Sequence, residues 1–156
     1  MKKFMEISVL ILTKIIALLL LVLIAVITFQ IIGRNFIKIS THWTEETSKY
    51  ILIWLTFLGS PVVLYKGEHL IVDLFYLKFS PGVRHWVYLF SNLFIAAFSG
   101  YLAYYGYMLC TNKFVLNFTS PAANIPRVYI YSALPVGAAL MLIYSLWNVW
   151  EAIMII

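Results

Sequence analysis

Charge is what this sequence has least of. Eleven Lys and Arg and six Asp and Glu make up 11% of 156 residues, while 63% are hydrophobic. An ordinary soluble domain carries about 25% charged and about 45–50% apolar residues. So few ionic groups cannot keep an 18 kDa surface in water, which excludes a soluble domain. Cysteine is nearly absent as well. Cys110, alone in an apolar stretch, excludes a disulfide framework and a thiolate metal site. Regular alternation of polar and apolar residues is missing, which argues against an outer-membrane barrel. No basic run exceeds Lys2-Lys3, so the formal charge of +5 reads as cations gathered at lipid headgroups and not as a nucleic-acid surface.

Long uncharged runs are what the sequence has instead. Between Lys14 and Arg34 lie 19 residues without charge, between Lys49 and Lys66 lie 16, between Arg84 and Lys113 lie 28, and between Arg127 and Glu151 lie 23. A spanning helix needs about 20 apolar residues to cross roughly 30 Å of hydrocarbon. Three runs meet that length, and the second meets it if its first turn lies among the headgroups. The reading is an all-α integral membrane protein, one transmembrane domain over residues 1–156 with no soluble domain. Its four helices are expected over about 6–33, 43–66, 83–111 and 127–155.

The first run resembles a secretion signal only in its start. Glu6 and Lys14 interrupt it, and no small-residue cleavage site follows, so it reads as an uncleaved helix ending at Gly33. The second helix opens on Trp43-Thr44-Glu45-Glu46, where Thr41 or Thr44 can cap it and two carboxylates suit the positive end of the helix dipole. Pro61 predicts a kink or an early end there. Residues 67–80 mix Glu68, His69 and Asp73 with apolar side chains, as a short amphipathic segment lying in the interface would. Tyr101, Tyr104, Tyr105 and Tyr107 gather at one end of the third helix like an interfacial aromatic belt. With the N-terminus inside, six basic residues face inward and five outward. Lys2-Lys3 ahead of the first helix then favours cytoplasmic N- and C-termini.

Carriers keep ionisable groups near the bilayer midplane, where charge is costly unless used. Here every Asp, Glu, Lys and Arg falls toward a predicted helix end. Haem ligation needs facing histidines within helices, whereas His42, His69 and His85 lie at boundaries or in loops. His69 and Asp73, four residues apart, share a helix face. They read either as part of a metal site or as a polar pair on an interfacial helix, and two ligands without a further cluster favour the second. Glu45 and Glu46 read either as a cation site or as carboxylates at a helix start. Gln30 and Arg34 share a face at the first helix's exit, where Arg34 suits the dipole and can reach phosphate or the carboxylates of Glu45 and Glu46, a polar clasp between helices. Ala96 with Gly100 and Ala133 with Gly137 mark four-residue spacings where helices approach closely. No nucleophile–base set or glycine-rich phosphate loop is present, so catalysis is not expected.

At these residues the chain resembles the small membrane subunit, the DctQ-like Q subunit, of tripartite ATP-independent periplasmic (TRAP) transporters. The likeness rests on Gln30-Ile31-Ile32-Gly33-Arg34-Asn35, Trp43-Thr44-Glu45-Glu46, Trp54, Phe57-Leu58-Gly59 and His69-Leu70-Ile71-Val72-Asp73. It extends to a last helix entered through Pro126 and carrying Pro135 and Gly137. The resemblance implies a bacterial inner-membrane subunit that binds no cofactor and pairs with a large membrane subunit holding the substrate and sodium sites. That partner moves as an elevator against a static scaffold, which the small subunit enlarges. A periplasmic binding protein delivers an organic acid of the dicarboxylate, keto acid or sialic acid class. Membrane phospholipids are the remaining partner. With the N-terminus inside, residues 34–44 and 112–126 face the periplasm, so Lys38, His42, Trp43, Lys113, Asn117 and Asn124 are the expected binding-protein contacts. The rival readings are an autonomous small four-helix carrier or channel and a membrane-anchored redox subunit.

Overall fold

A computed structural model of the chain describes residues 2–38, 42–66 and 81–154. It is helical, without a strand among the described residues, and four stretches are long and apolar enough to cross a membrane. Helix α1 covers Lys2–Ile32 and continues into a π-helical turn over Gly33–Ile37. Helix α2 covers His42–Lys66, α3 Pro81–Cys110, α4 Lys113–Asn117, α5 Arg127–Tyr131 and α6 Ala133–Met154. The expected interfacial segment near 67–80, with His69 and Asp73, lies outside the described residues.

Three departures from the sequence reading have local causes. Helix α1 starts at Lys2, which places Lys14 three turns inside it. The 19 uncharged residues from Ile15 to Gly33 still rise about 28 Å, so Lys14 and Arg34 bracket one hydrocarbon thickness. Helix α2 continues through Pro61 to Lys66. The last span is broken at Ser132, because Pro135 has no N–H to give the carbonyl of Tyr131 and its ring crowds that carbonyl.

The four long helices form an open row, not a closed bundle: α1 lies along α2, α2 along α6, and α6 along α3. In lipid, apolar surface alone gives no preference for one neighbour, because hydrocarbon tails are as apolar as Leu. Neighbours are chosen where backbones come close. Pro61 cannot bond the carbonyl of Phe57 four residues before it, and that carbonyl faces Gly137 of α6. A Cβ at Gly137 would overlap the Phe57 backbone and lie 2.7 Å from the Phe57 Cβ. The proline thus frees an acceptor, and the glycine lets a neighbouring helix cover it. Gly106 of α3 plays the matching part on the other side of α6, where a Cβ would sit 3.0 Å from Pro135 Cδ. Ala133, Ala138 and Ser145 are buried along α6 between its two neighbours.

A second set of ties lies toward the end where α1 begins, called the proximal end. Val9, Val62, Leu64 and Tyr144 form a buried cluster there, edged by Met5, Leu12, Ile95 and Met141. The Ser8 hydroxyl and the Tyr144 phenol are 2.9 Å apart, joining α1 to α6. Asn148 Nδ2 donates to the Leu64 carbonyl at 3.4 Å and to Asn92 Oδ1 at 3.2 Å, linking α6 with α2 and α3. Both asparagines are buried. Polar groups at this depth need partners from other helices, so each fixes which helices are adjacent.

Candidate functional site

The opposite, distal end gathers the exit of α1, the start of α2 and the connection from α3 to α5. The turn after α1 shapes this region first. Gly33, buried, opens the π turn, and the N–H of Lys38 closes it on the Gly33 carbonyl with Lys38 in the left-handed region at φ 56°. A π turn carries i→i+5 bonds, so the four-residue spacing of Gln30 and Arg34 no longer stacks them as an α-helix does. Gln30 Nε2 donates to Glu45 Oε1 at 3.3 Å, and Phe29 packs on Trp43 with ring centroids 6.0 Å apart. Arg34 is exposed, and no ion pair joins it to Glu45 or Glu46.

Glu46 makes a different connection. Its Oε2 accepts the backbone N–H of Ala122 at 3.1 Å and of Ala123 at 2.9 Å, which pins the α3–α5 connection onto α2. The structure therefore divides the expected clasp in two: Gln30 with Glu45 joins α1 to α2, and Glu46 joins α2 to a loop. Backbone amides 76 residues away in sequence carry no side-chain signal, so nothing in the sequence pointed to this second tie.

The connection is more ordered than a plain loop. The Asn112 side chain caps α4 by accepting the Phe114 N–H at 2.9 Å. Ser120 and Ile125 close the following turn through a 2.9 Å backbone bond, with Asn124 at φ 53° inside it. Thr119 pairs with Pro126, and the Arg127 N–H donates to the Phe118 carbonyl at 3.1 Å. Trp54 of α2 donates its indole N–H to the Tyr129 carbonyl at 3.1 Å, holding α5 against α2. Lys38, His42, Trp43, Lys113, Asn117 and Asn124 are all exposed at this end.

Of the small residues, Gly137 meets α2 as described. Ala133 is fully buried, Ala96 is buried, and a Cβ at Gly100 would stand 3.0 Å from Leu142 Cδ1. Gly106 was missed because no second small residue stands four positions away to flag it. Tyr101, Tyr104, Tyr105 and Tyr107 are exposed and partly stacked on one another, with the Tyr101 and Tyr105 rings 4.4 Å apart. Among the described residues no three His, Cys, Asp or Glu side chains gather as a metal centre would require.

The distal end thus offers a braced polar surface at the mouth of a membrane-spanning row. Residues 23–154 match the sequence model of the DctQ component of tripartite ATP-independent periplasmic transporters. The chain is similar to the isethionate TRAP transporter permease protein DctMQ of Oleidesulfovibrio alaskensis, 26% identical over 129 residues. That stretch is 78% of this chain and 20% of that protein. It is also similar to the C4-dicarboxylate TRAP transporter small permease protein DctQ of Rhodobacter capsulatus, 24% identical over 103 residues, 66% of this chain and 45% of that protein. The matched stretch covers less than half the length of either relative. With the family model covering most of its length and four spans to match, the chain belongs to the DctQ family of TRAP transporter components, a family of transport proteins and not of enzymes.

Proposed function

We propose that this chain is the static small subunit of a sodium-coupled, binding-protein-dependent transporter, widening the scaffold against which a large membrane subunit moves substrate. The observation that carries this reading is the open row. A self-contained carrier encloses its substrate among its own helices, whereas here, among the described residues, α1 lies along α2, meets α6 at its proximal end and otherwise presents Leu, Ile and Val outward. Charges bracket the spans and do not enter them, which suits a wall better than a pathway. The relative named DctMQ supports a large partner, because its length is about five times the matched stretch.

The transported compound is an organic anion. The two relatives are named for different ones, isethionate and a C4-dicarboxylate, yet are similar to this chain to nearly the same degree. Selectivity that varies while this component stays alike belongs to residues of other chains, and the sodium sites belong with it. The distal surface, braced by Glu45 and Glu46 and carrying Lys38, His42, Lys113 and Asn124, faces the periplasm and receives the binding protein, with both termini in the cytoplasm.

The deciding experiment reconstitutes the chain in liposomes with and without its large partner and the binding protein. Uptake of dicarboxylates, keto acids, sialic acid and isethionate is then followed under a sodium gradient. Uptake that needs all three components is expected. Sodium-driven uptake by this chain alone would overturn the scaffold reading in favour of an autonomous carrier.

A further inference from the structure

At the distal end a cavity of about 400 Å³ lies between α2, the α3–α5 connection and α5. It is open to the surface, and Glu46, Tyr50 and Pro121 line it together with Arg127, Ile130 and Tyr131. It holds one full positive and one full negative charge that do not meet, since no ion pair joins Arg127 to Glu46. The Arg127 guanidinium is held over the rings of Phe114 and Phe118, 5.9 and 5.8 Å from their centroids, and donates no hydrogen bond to any described residue. The contact is a cation–π one near its outer range, and the guanidinium N–H groups, unbonded to any described residue, remain available to a phosphate.

Depth selects the ligand. Helix α2 has 25 residues and so rises about 37 Å, more than the roughly 30 Å of hydrocarbon. The excess of about 7 Å, roughly five residues, placed at this end brings the first turn through Glu46 up to the headgroups, with Tyr50 one turn deeper, and Arg127 opens the last span at the same end. Exposed Phe114, Leu116 and Phe118 stand at the same level and suit the start of acyl chains.

We propose that the Glu46–Arg127 cavity binds the headgroup of phosphatidylethanolamine, with its phosphate on Arg127 and its ammonium toward Glu46 and the Tyr50 and Tyr131 side chains. The pairing follows from charge order. A phosphodiester supplies the acceptor that the guanidinium lacks. A primary ammonium supplies N–H donors for a carboxylate and phenol oxygens. Phosphatidylcholine has the charge without the donors, and phosphatidylglycerol has no cation for Glu46. The proposal rests on the four spans crossing a membrane and on no particular role in transport.

The test is native mass spectrometry of this chain released from nanodiscs made of equal parts phosphatidylethanolamine, phosphatidylglycerol and phosphatidylcholine. One phosphatidylethanolamine retained per chain, in preference to the other two lipids, is expected. Arg127→Gln should lower its retention about tenfold, the worth of one charge-assisted hydrogen-bonded contact. Arg127→Lys, which keeps the charge but not the fork, should fall between. Circular dichroism of each variant separates lost binding from lost folding. If Arg127→Gln does not fold, the lysine variant decides, and undiminished retention by it overturns the site. Equal retention of the three lipids overturns the selectivity, and unchanged retention by Arg127→Gln overturns the location. Displacement by millimolar inorganic phosphate would make the site one for free anions and overturn a lipid site.

Discussion

The first and last spans are both apolar helices of membrane length, yet the protein treats them oppositely. In the most apolar 18-residue window of the first span none of the residues is buried, and in that of the last, 33% are. Hydrophobicity cannot explain the difference, since the first is the more apolar of the two. Helix α6 sits between α2 and α3 because Ala133, Gly137, Ala138 and Ser145 let backbones approach and Asn148 bonds to both neighbours. Helix α1 is mostly Leu, Ile and Val, and it is tied at its ends: Ser8 to Tyr144 and Val9 in the buried cluster at one, Gln30 to Glu45 at the other. In lipid, greasy side chains put a helix into the membrane, while small and polar ones decide what it touches. The outer faces of α1 are consequently free for lipid or for a partner.

That contrast breaks most directly at Gly137. Gly137→Leu should cost about 3 kcal/mol or more, the upper range of overpacking, because the obstacle is the Phe57 backbone and not a side chain that can turn away. Reversible unfolding in mixed micelles measures it. At Gly59, two residues beyond Phe57 and so about half a turn round α2, an added Cβ meets nothing within 4 Å. Gly59→Ala should therefore leave stability unchanged or raise it by up to about 1 kcal/mol. A loss there comparable to Gly137→Leu would refute the close-approach argument.

Glu46→Ala comes next. Removing a charged acceptor from two backbone N–H groups should loosen the α3–α5 connection and be felt locally. Hydrogen exchange at Ala122 and Ala123 should quicken by roughly tenfold or more while α6 stays protected. Asn148→Leu should cost about 1 kcal/mol, the usual scale of an interhelical hydrogen bond in a membrane. Cysteine crosslinking between α3 and α6 would report the loosened pair. The smallest effect is expected for Ile24→Ala on the exposed face of α1, within about 0.5 kcal/mol for the chain by itself. If that face covers a partner, the same substitution lowers the yield of the complex, and co-purification separates the two outcomes.

How far the sequence alone reached differs by region. The spans were legible because hydrocarbon thickness fixes a length that charged residues then mark, and Lys14 with Arg34 shows this most clearly. A polar contact between the exit of α1 and the start of α2 follows from their short connection, but the residue expected to reach the carboxylates is Arg34, whereas Gln30 meets Glu45. The bond of Glu46 to Ala122 and Ala123 could not be anticipated, since its donors are backbone amides and any residue there offers the same N–H. The π turn at Gly33 also lay out of reach, and it is what turns Arg34 away from the carboxylates. Gly106 escaped notice because it works against Pro135 of another helix rather than with a small residue on its own.

The scarcity of charge, the four spans and the family likeness are properties of the chain as a string, because the bilayer as a solvent acts on each segment by itself. The order of the row is another kind of fact. That α6 lies between α2 and α3 depends on a carbonyl freed by Pro61 meeting Gly137, and on Asn148 standing level with Asn92. The separation of Arg127 from Glu46 is likewise set by where the α3–α5 connection is pinned. These are distances between residues far apart in sequence, and only the folded chain fixes them, since lipid gives apolar helices no reason to prefer one neighbour over another.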